Sequence, residues 1–157
     1  MDRAQADVLV TELGRQLGIE GLVLDEHGGC TLAIDEGAVI VSLGHSPQAG
    51  SIDLMICLDE VEPSRPQLAR LLAANFGWLA TDGAAFALEP GSGALIVQRR
   101  WPGPNAGQGS LRSALESLVA VAEAWSRELA RTAPALDDDE GDLPFDPIRL
   151  SGEVLRA

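Results

Sequence analysis

The feature that most constrains the fold is one short helix signal, at residues 64–77, set between two blocks of strand-like sequence. Ser64 and Gln67 have the spacing of a capping box, and Pro66 lies in the first turn, where a missing N–H costs little. Apolar residues recur on one face at helical spacing: Leu68, Leu71, Leu72 and Phe76. Gly77 suits the left-handed conformation that ends a helix. The fold therefore has to pack this central helix against strands that come from both sides of it.

A helix and three strands are predicted before the central helix. Residues 2–17 have an amphipathic pattern, with Asp2 as the N-cap and Gly18 at the end. Three alternating runs follow at 30–34, 39–43 and 52–58, and their short connections predict an antiparallel meander.

The second face of this sheet is unusually apolar. The residues in the opposite phase are mostly apolar rather than charged: Ala33, Ala38, Ile40, Met55 and Cys57. A sheet with one solvated face normally places charged side chains there. We therefore expect this face to be covered by the chain's own helices, by a second subunit or by a bound partner.

Further strands and a long helix are predicted after the central helix. The segments 78–81 and 85–88 flank Asp82 and Gly83, a strong hairpin signal, and another strand-like run covers 94–101. An amphipathic helix follows at residues 111–129. The predicted fold class is α+β, an antiparallel β-sheet with three helices in the order α-βββ-α-ββ-α.

The composition changes near the C-terminal end. An acidic run at 137–142 precedes the apolar segment LPFDPIRL at 143–150. We expect a domain at residues 1–133 and an acidic, flexible tail at residues 134–157. Two interpretations of the tail remain open: a solvated segment without stable structure, or a short apolar motif that docks on a folded surface.

Charge excludes several classes of function. The chain has a formal net charge of −13, and all eleven basic residues are arginine. Phosphate contacts need a basic face, so we expect no nucleic acid and no anionic membrane as partner. No run approaches the ~18 apolar residues of a membrane span, and no signal peptide opens the sequence, so the expected location is cytoplasmic.

The sequence offers no catalytic constellation. His27 and His45 fall in turns, without cysteine or histidine partners at metal-binding spacing. The sequence lacks the lysine of a phosphate-binding loop and a G-x-S-x-G motif. Acidic pairs recur at 25–26, 35–36 and 59–60, at strand ends, where solvated turn residues are common. We expect a protein that is not an enzyme and binds no metal or cofactor.

Four stretches, in their order along the chain, resemble the class I type III secretion chaperones, the Tir-chaperone-like family. They span about residues 5–131. They are residues 21–24 with the strands at 30–35 and 39–43, the motif Leu71-Leu72-Ala-Ala-Asn75-Phe76, Thr81-Asp-Gly83 before Phe86-Ala-Leu88, and Trp125 followed by Leu129.

This resemblance implies a cytoplasmic homodimer that holds the N-terminal segment of a secreted effector extended and delivers it to the secretion apparatus. It implies effector contacts on the first helix and first sheet, for which the candidates are Leu9, Leu13, Leu17, Leu32, Ile34, Ile40 and Met55. It implies a dimer contact through the central helix region, with Leu68, Leu71, Leu72, Phe76 and Trp78 as candidates. The alternative on the same fold is a non-secretory regulatory or scaffold protein.

Overall fold

The computed structural model describes residues 1–34, 37–58, 61–107 and 109–132. Its helices and strands are, in chain order, α1 (Arg3–Leu17), β1 (Gly29–Ile34), β2 (Val39–Ser46), β3 (Ser51–Cys57), α2 (Arg65–Asn75), β4 (Ala85–Leu88), β5 (Leu95–Trp101) and α3 (Leu111–Arg131). The predicted order α-βββ-α-ββ-α is confirmed. The tail predicted at 134–157, the domain end at 133 and the acidic pairs at 35–36 and 59–60 lie outside the described residues.

The helix-end signals in the sequence act as predicted. Asp2 Oδ1 accepts a hydrogen bond from Gln5 N at 2.9 Å, and Gln5 Oε1 accepts one from Asp2 N at 3.0 Å. Gly18 closes α1 in the left-handed conformation. At the start of α2, Gln67 Oε1 accepts from Ser64 N at 2.9 Å. These local bonds satisfy backbone groups that a helix end leaves without partners.

The five strands form one antiparallel sheet in the order β1-β2-β3-β5-β4. β1 and β4 are therefore its two edges. The core lies between one face of this sheet and the helices α1 and α3, and its most deeply buried side chains include Val10, Leu13, Val41, Leu43, Ile52, Leu54, Val97, Trp101, Leu115 and Leu118. The side chains that alternate with these along each strand point to the other face of the sheet, here called the outer face. The helices α1 and α3 do not pack on it.

The prediction of a hairpin through Asp82 and Gly83 is wrong. Residues Leu79–Thr81 form a short 3₁₀ turn, and β4 pairs with β5 instead of with residues 78–81. Trp78 has φ 57° and Asp82 has φ 46°, values that an extended strand does not have. This segment therefore reverses the chain between α2 and β4.

Candidate functional site

The outer face of the sheet is apolar and uncovered by the described helices. Ile40 is 50% exposed and Met55 is 37% exposed. The apolar surface continues on the next two strands, where Ile96 of β5 lies opposite Ala87 of β4 on the same face. One ion pair on this face, Asp53–Arg100 at 2.8 Å, lies among these side chains. Of the three coverings considered from the sequence, the chain's own described helices are excluded.

The outer edge of β1 presents unpaired backbone groups. His45 N donates to Gly28 O at 2.8 Å across the β1–β2 pair. Because hydrogen-bonded and non-bonded pairs alternate along an antiparallel ladder, the N–H and C=O groups of Thr31 and Ala33 point away from β2. Both residues are exposed. This short stretch of edge has the geometry that accepts another strand.

One end of the β1 edge is closed by Asp25. Asp25 N donates to Gly29 O at 2.7 Å, and Gly29 N donates to Asp25 Oδ1 at 2.9 Å. The backbone N–H groups of Gly29 and His27 also hold the pKa of the Asp25 carboxyl below its usual value, because they stabilise the charged form. An incoming strand therefore meets open backbone only beyond Gly29.

The opposite edge of the sheet is occupied by a side chain. Phe86 N donates to Asn75 Oδ1 at 2.8 Å, and Asn75 Nδ2 donates to Phe86 O at 3.1 Å. This amide makes the pair of bonds that a neighbouring strand would make with β4. Asn75 is the asparagine of the sequence motif in the central helix, so the motif has a structural role at the β4 edge.

A groove beside the open edge supplies apolar contacts. This β1 groove encloses about 490 Å³ between the end of α1, β1 and α3. Its apolar lining is Leu17, Ile19, Ala33, Ile34, Leu115, Val119 and Ala120. Glu116 and Glu123 supply its acidic groups. A strand along β1 would present alternate side chains to this groove, since successive side chains of a strand point to opposite faces.

A second exposed apolar surface follows from α2 into the 3₁₀ turn. We call Leu72, Phe76, Trp78 and Leu79 the α2 patch; their exposed fractions are 70%, 92%, 62% and 96%. Four large apolar side chains this close in sequence are an uncommon surface for a monomer. The α2 patch is therefore a candidate contact surface.

The structure divides the seven candidate effector-contact residues. Leu13 and Leu32 are sealed in the core, so neither is available to a ligand while the fold is intact, and we do not retain them. Leu9, Leu17 and Ile34 are half-buried against the core, and the last two line the β1 groove. Ile40 and Met55 lie on the outer face, on the other side of the sheet, so the seven residues do not share one surface.

The candidate dimer residues divide in the same way. Leu71 is buried in the chain's own core and Leu68 is half-buried, whereas Leu72, Phe76 and Trp78 belong to the exposed α2 patch. Sequence reasoning missed Leu79, which was assigned to a strand. It also missed Val119 and Ala120 in the β1 groove, although Val119 belongs to the apolar stripe predicted for α3 and Ala120 follows it directly.

Two further functions find no support in the described part of the chain. No group of three or more histidine, cysteine, aspartate or glutamate side chains there could hold a metal ion. None of the described helices combines the length and the apolar character needed to cross a bilayer.

Comparison with known proteins is consistent with this geometry. The sequence matches the Tir chaperone protein (CesT) family over residues 8–126. A comparison with curated proteins finds no match.

Among solved structures, the fold is similar to that in the ExsC–ExsE complex, with 24% identity and a TM-score of 0.68 over 82% of this chain and 97% of that one. The HopA1–SchA chaperone–effector complex has 22% sequence identity and a TM-score of 0.62 over 83% of this chain and 98% of that one. The ExoT–SpcS complex from Pseudomonas aeruginosa has 20% sequence identity and a TM-score of 0.56 over 79% of this chain and 98% of that one.

Proposed function

Because the chain belongs to the Tir chaperone protein (CesT) family, we propose that it binds a segment of a secreted effector as an added strand along the edge of β1. The chain is a type III secretion chaperone, and its activity is binding rather than catalysis. It holds the N-terminal segment of the effector extended in the cytoplasm and delivers it to the secretion apparatus. The observation that carries this proposal is the open β1 edge beside an apolar groove.

Backbone pairing supplies the general part of the affinity. Thr31 and Ala33 offer N–H and C=O groups to an extended peptide of any sequence. The β1 groove then selects the sequence, because alternate side chains of the peptide meet Leu17, Ile34 and Val119. A peptide with apolar residues at every second position fits this arrangement.

The charge of the chaperone adds a second preference. Glu116 and Glu123 lie in the β1 groove, and the whole chain has a formal net charge of −13. A basic residue next to the apolar positions of the effector would be attracted to these carboxylates. The same negative charge disfavours contact with acidic segments of other proteins.

The α2 patch fits a twofold contact between two copies of the chain. In a twofold dimer the same surface is used by both subunits, so a self-complementary apolar patch is buried twice. Leu72 and Phe76 lie one helical turn apart, and Trp78 and Leu79 follow them directly, which makes the patch continuous along the chain. We propose that the chaperone is a homodimer through this patch.

The test is co-expression with an effector encoded beside the chaperone gene, followed by purification of the complex. We expect two chaperone subunits for each effector. Ala120→Glu places a charge in the β1 groove and should weaken binding at least about tenfold, whereas Ala124→Glu makes the same change at another exposed position of α3 outside the groove. No complex, or equal loss of binding in both variants, would overturn the proposal.

A further inference from the structure

A second groove runs along the C-terminal half of α3, and Glu123 separates it from the β1 groove. This α3 groove encloses about 870 Å³. Val39, Ile56, Leu58 and Val61 supply one apolar side of it. On the α3 side the lining residues Ala122, Ser126 and Ala130 are small and lie four residues apart, on one face of the helix. Glu123 and Arg127 also line the groove from α3, and the three small residues between and beside them leave room for side chains from another segment.

We propose that the apolar segment at residues 143–150 of the same chain binds in the α3 groove. The first support is distance. The chain leaves α3 at Arg131, one residue beyond Ala130 in the groove lining. The ten residues 133–142 span up to roughly 33 Å when extended. The groove-lining part of α3, from Ala122 to Ala130, is only about 12 Å long, so the segment reaches any position in the groove without strain.

The second support is the chemistry of the segment, LPFDPIRL. Leu143, Phe145, Ile148 and Leu150 are large and apolar. Its two prolines disfavour a helix and favour an extended backbone, which suits a long, narrow groove. Its charges, Asp146 and Arg149, are opposite in sign, and so are the groove residues Arg127 and Glu123.

The third support is the charge of the connecting residues. Residues 137–142 contain five acidic side chains. At the end of α3, Glu128 already pairs with Arg70 and Arg131. Arg65 and Arg127 make no ion pair within the described ranges and stay available to a passing acidic segment. The acidic run would thus pass close to the arginines where the start of α2 meets the end of α3. These arginines would offset part of its negative charge.

The inference goes beyond the proposed function and does not depend on it, because the occupant belongs to the chain itself. Effector binding is assigned to the β1 groove, whereas the tail is assigned to the α3 groove. Loss of tail docking would leave the β1 edge and its neighbouring groove intact.

The test is amide hydrogen–deuterium exchange of the full-length chain without effector. We expect the amides of residues 143–150 to exchange at least about tenfold more slowly than an unstructured peptide. Ala130→Phe fills the groove and should restore fast exchange. Ala124→Phe makes the same change at an exposed α3 position outside the groove and should not.

Three results would overturn the inference. One is exchange at the unstructured rate in the unmodified chain. Another is protection that survives Ala130→Phe while circular dichroism shows both variants folded. The third is protection that disappears on dilution, which would assign the segment to the groove of another copy.

Discussion

Gln67 Nε2 donates a hydrogen bond of 2.8 Å to the backbone carbonyl of Leu129, which joins the beginning of α2 to the end of α3. The other side-chain atom, Gln67 Oε1, accepts from Ser64 N at 2.9 Å. One buried amide therefore satisfies a backbone donor at one helix end and a backbone acceptor at another. Because the bond to Leu129 is buried and the bond to Ser64 is partly buried, their loss leaves polar groups that water replaces poorly.

Gln67→Ala should lower the free energy of unfolding by about 2–3 kcal/mol, since its hydrogen bonds to Ser64, Leu129 and Thr132 are lost and the buried Leu129 carbonyl is left unpaired. Urea unfolding at pH 7 measures this change. Gln48→Ala, at an exposed position between β2 and β3, is the control and should change stability by less than about 0.5 kcal/mol. Equal stability of the two variants would contradict the linking role of Gln67.

Leu72→Asp and Leu71→Asp should have different effects, although the residues are adjacent. Leu72 is exposed in the α2 patch, so its replacement should give a folded monomer in sedimentation experiments. Leu71 is buried, and an unpaired charge there should cost several kcal/mol and unfold the chain. A Leu72→Asp protein that remains a dimer would exclude the α2 patch as the subunit contact.

Ala33→Pro tests strand addition at β1 by removing a single backbone N–H group. The N–H of Ala33 points away from β2, so proline removes a donor that the sheet itself does not use. We expect weaker effector binding in isothermal titration calorimetry. Ala33→Val keeps the N–H group and is the matched control, with affinity close to that of the unmodified chain. Equal affinities of the proline and valine variants would argue against pairing at this edge.

Glu128 should make the contact between α2 and α3 sensitive to acid. Hydrogen bonds from Arg131 and Arg70 hold the pKa of Glu128 below its ordinary value. A lowered pKa in the folded state means that the stabilisation is present above the unfolded pKa of about 4.3, and is lost as the pH falls through the folded value. Glu128→Gln should therefore destabilise the chain at pH 7, and the difference from the unmodified chain should shrink as the pH falls below about 4.3.

Urea midpoints at pH 7, 5 and 3 measure this difference. Glu20→Gln is the control, because Glu20 is exposed and makes no ion pair within the described ranges. A Glu128→Gln effect of the same size at every pH would show that its ionisation does not contribute.

Local signals account for the parts of the fold that could be predicted from the sequence. Caps such as Asp2 with Gln5, and the apolar stripes of α1 and α3, depend on residues three or four positions apart. The hairpin at Asp82 was mispredicted because its outcome depends on distant pairing. β5 pairs with β3 and β4 together, and the chain before β4 has to turn back from α2.

The site was only partly predictable for a similar reason. The stripe of α1 includes both Leu13 and Leu17, but only the packing of α3 decides that Leu13 is sealed and Leu17 borders a groove. The exposure of Leu72 beside buried Leu71 depends on which side of α2 faces β4. Periodicity identifies apolar faces, whereas their exposure is a property of the assembled fold.

The two hydrogen bonds between the Asn75 side chain and the backbone of Phe86 make the two edges of the sheet unequal as sites for an added strand. Asn75 occupies the outward backbone groups of Phe86 near the middle of β4, whereas the outward groups of Thr31 and Ala33 on β1 stay open to an added strand. A client strand and a strand from a second copy would therefore compete for the same β1 border.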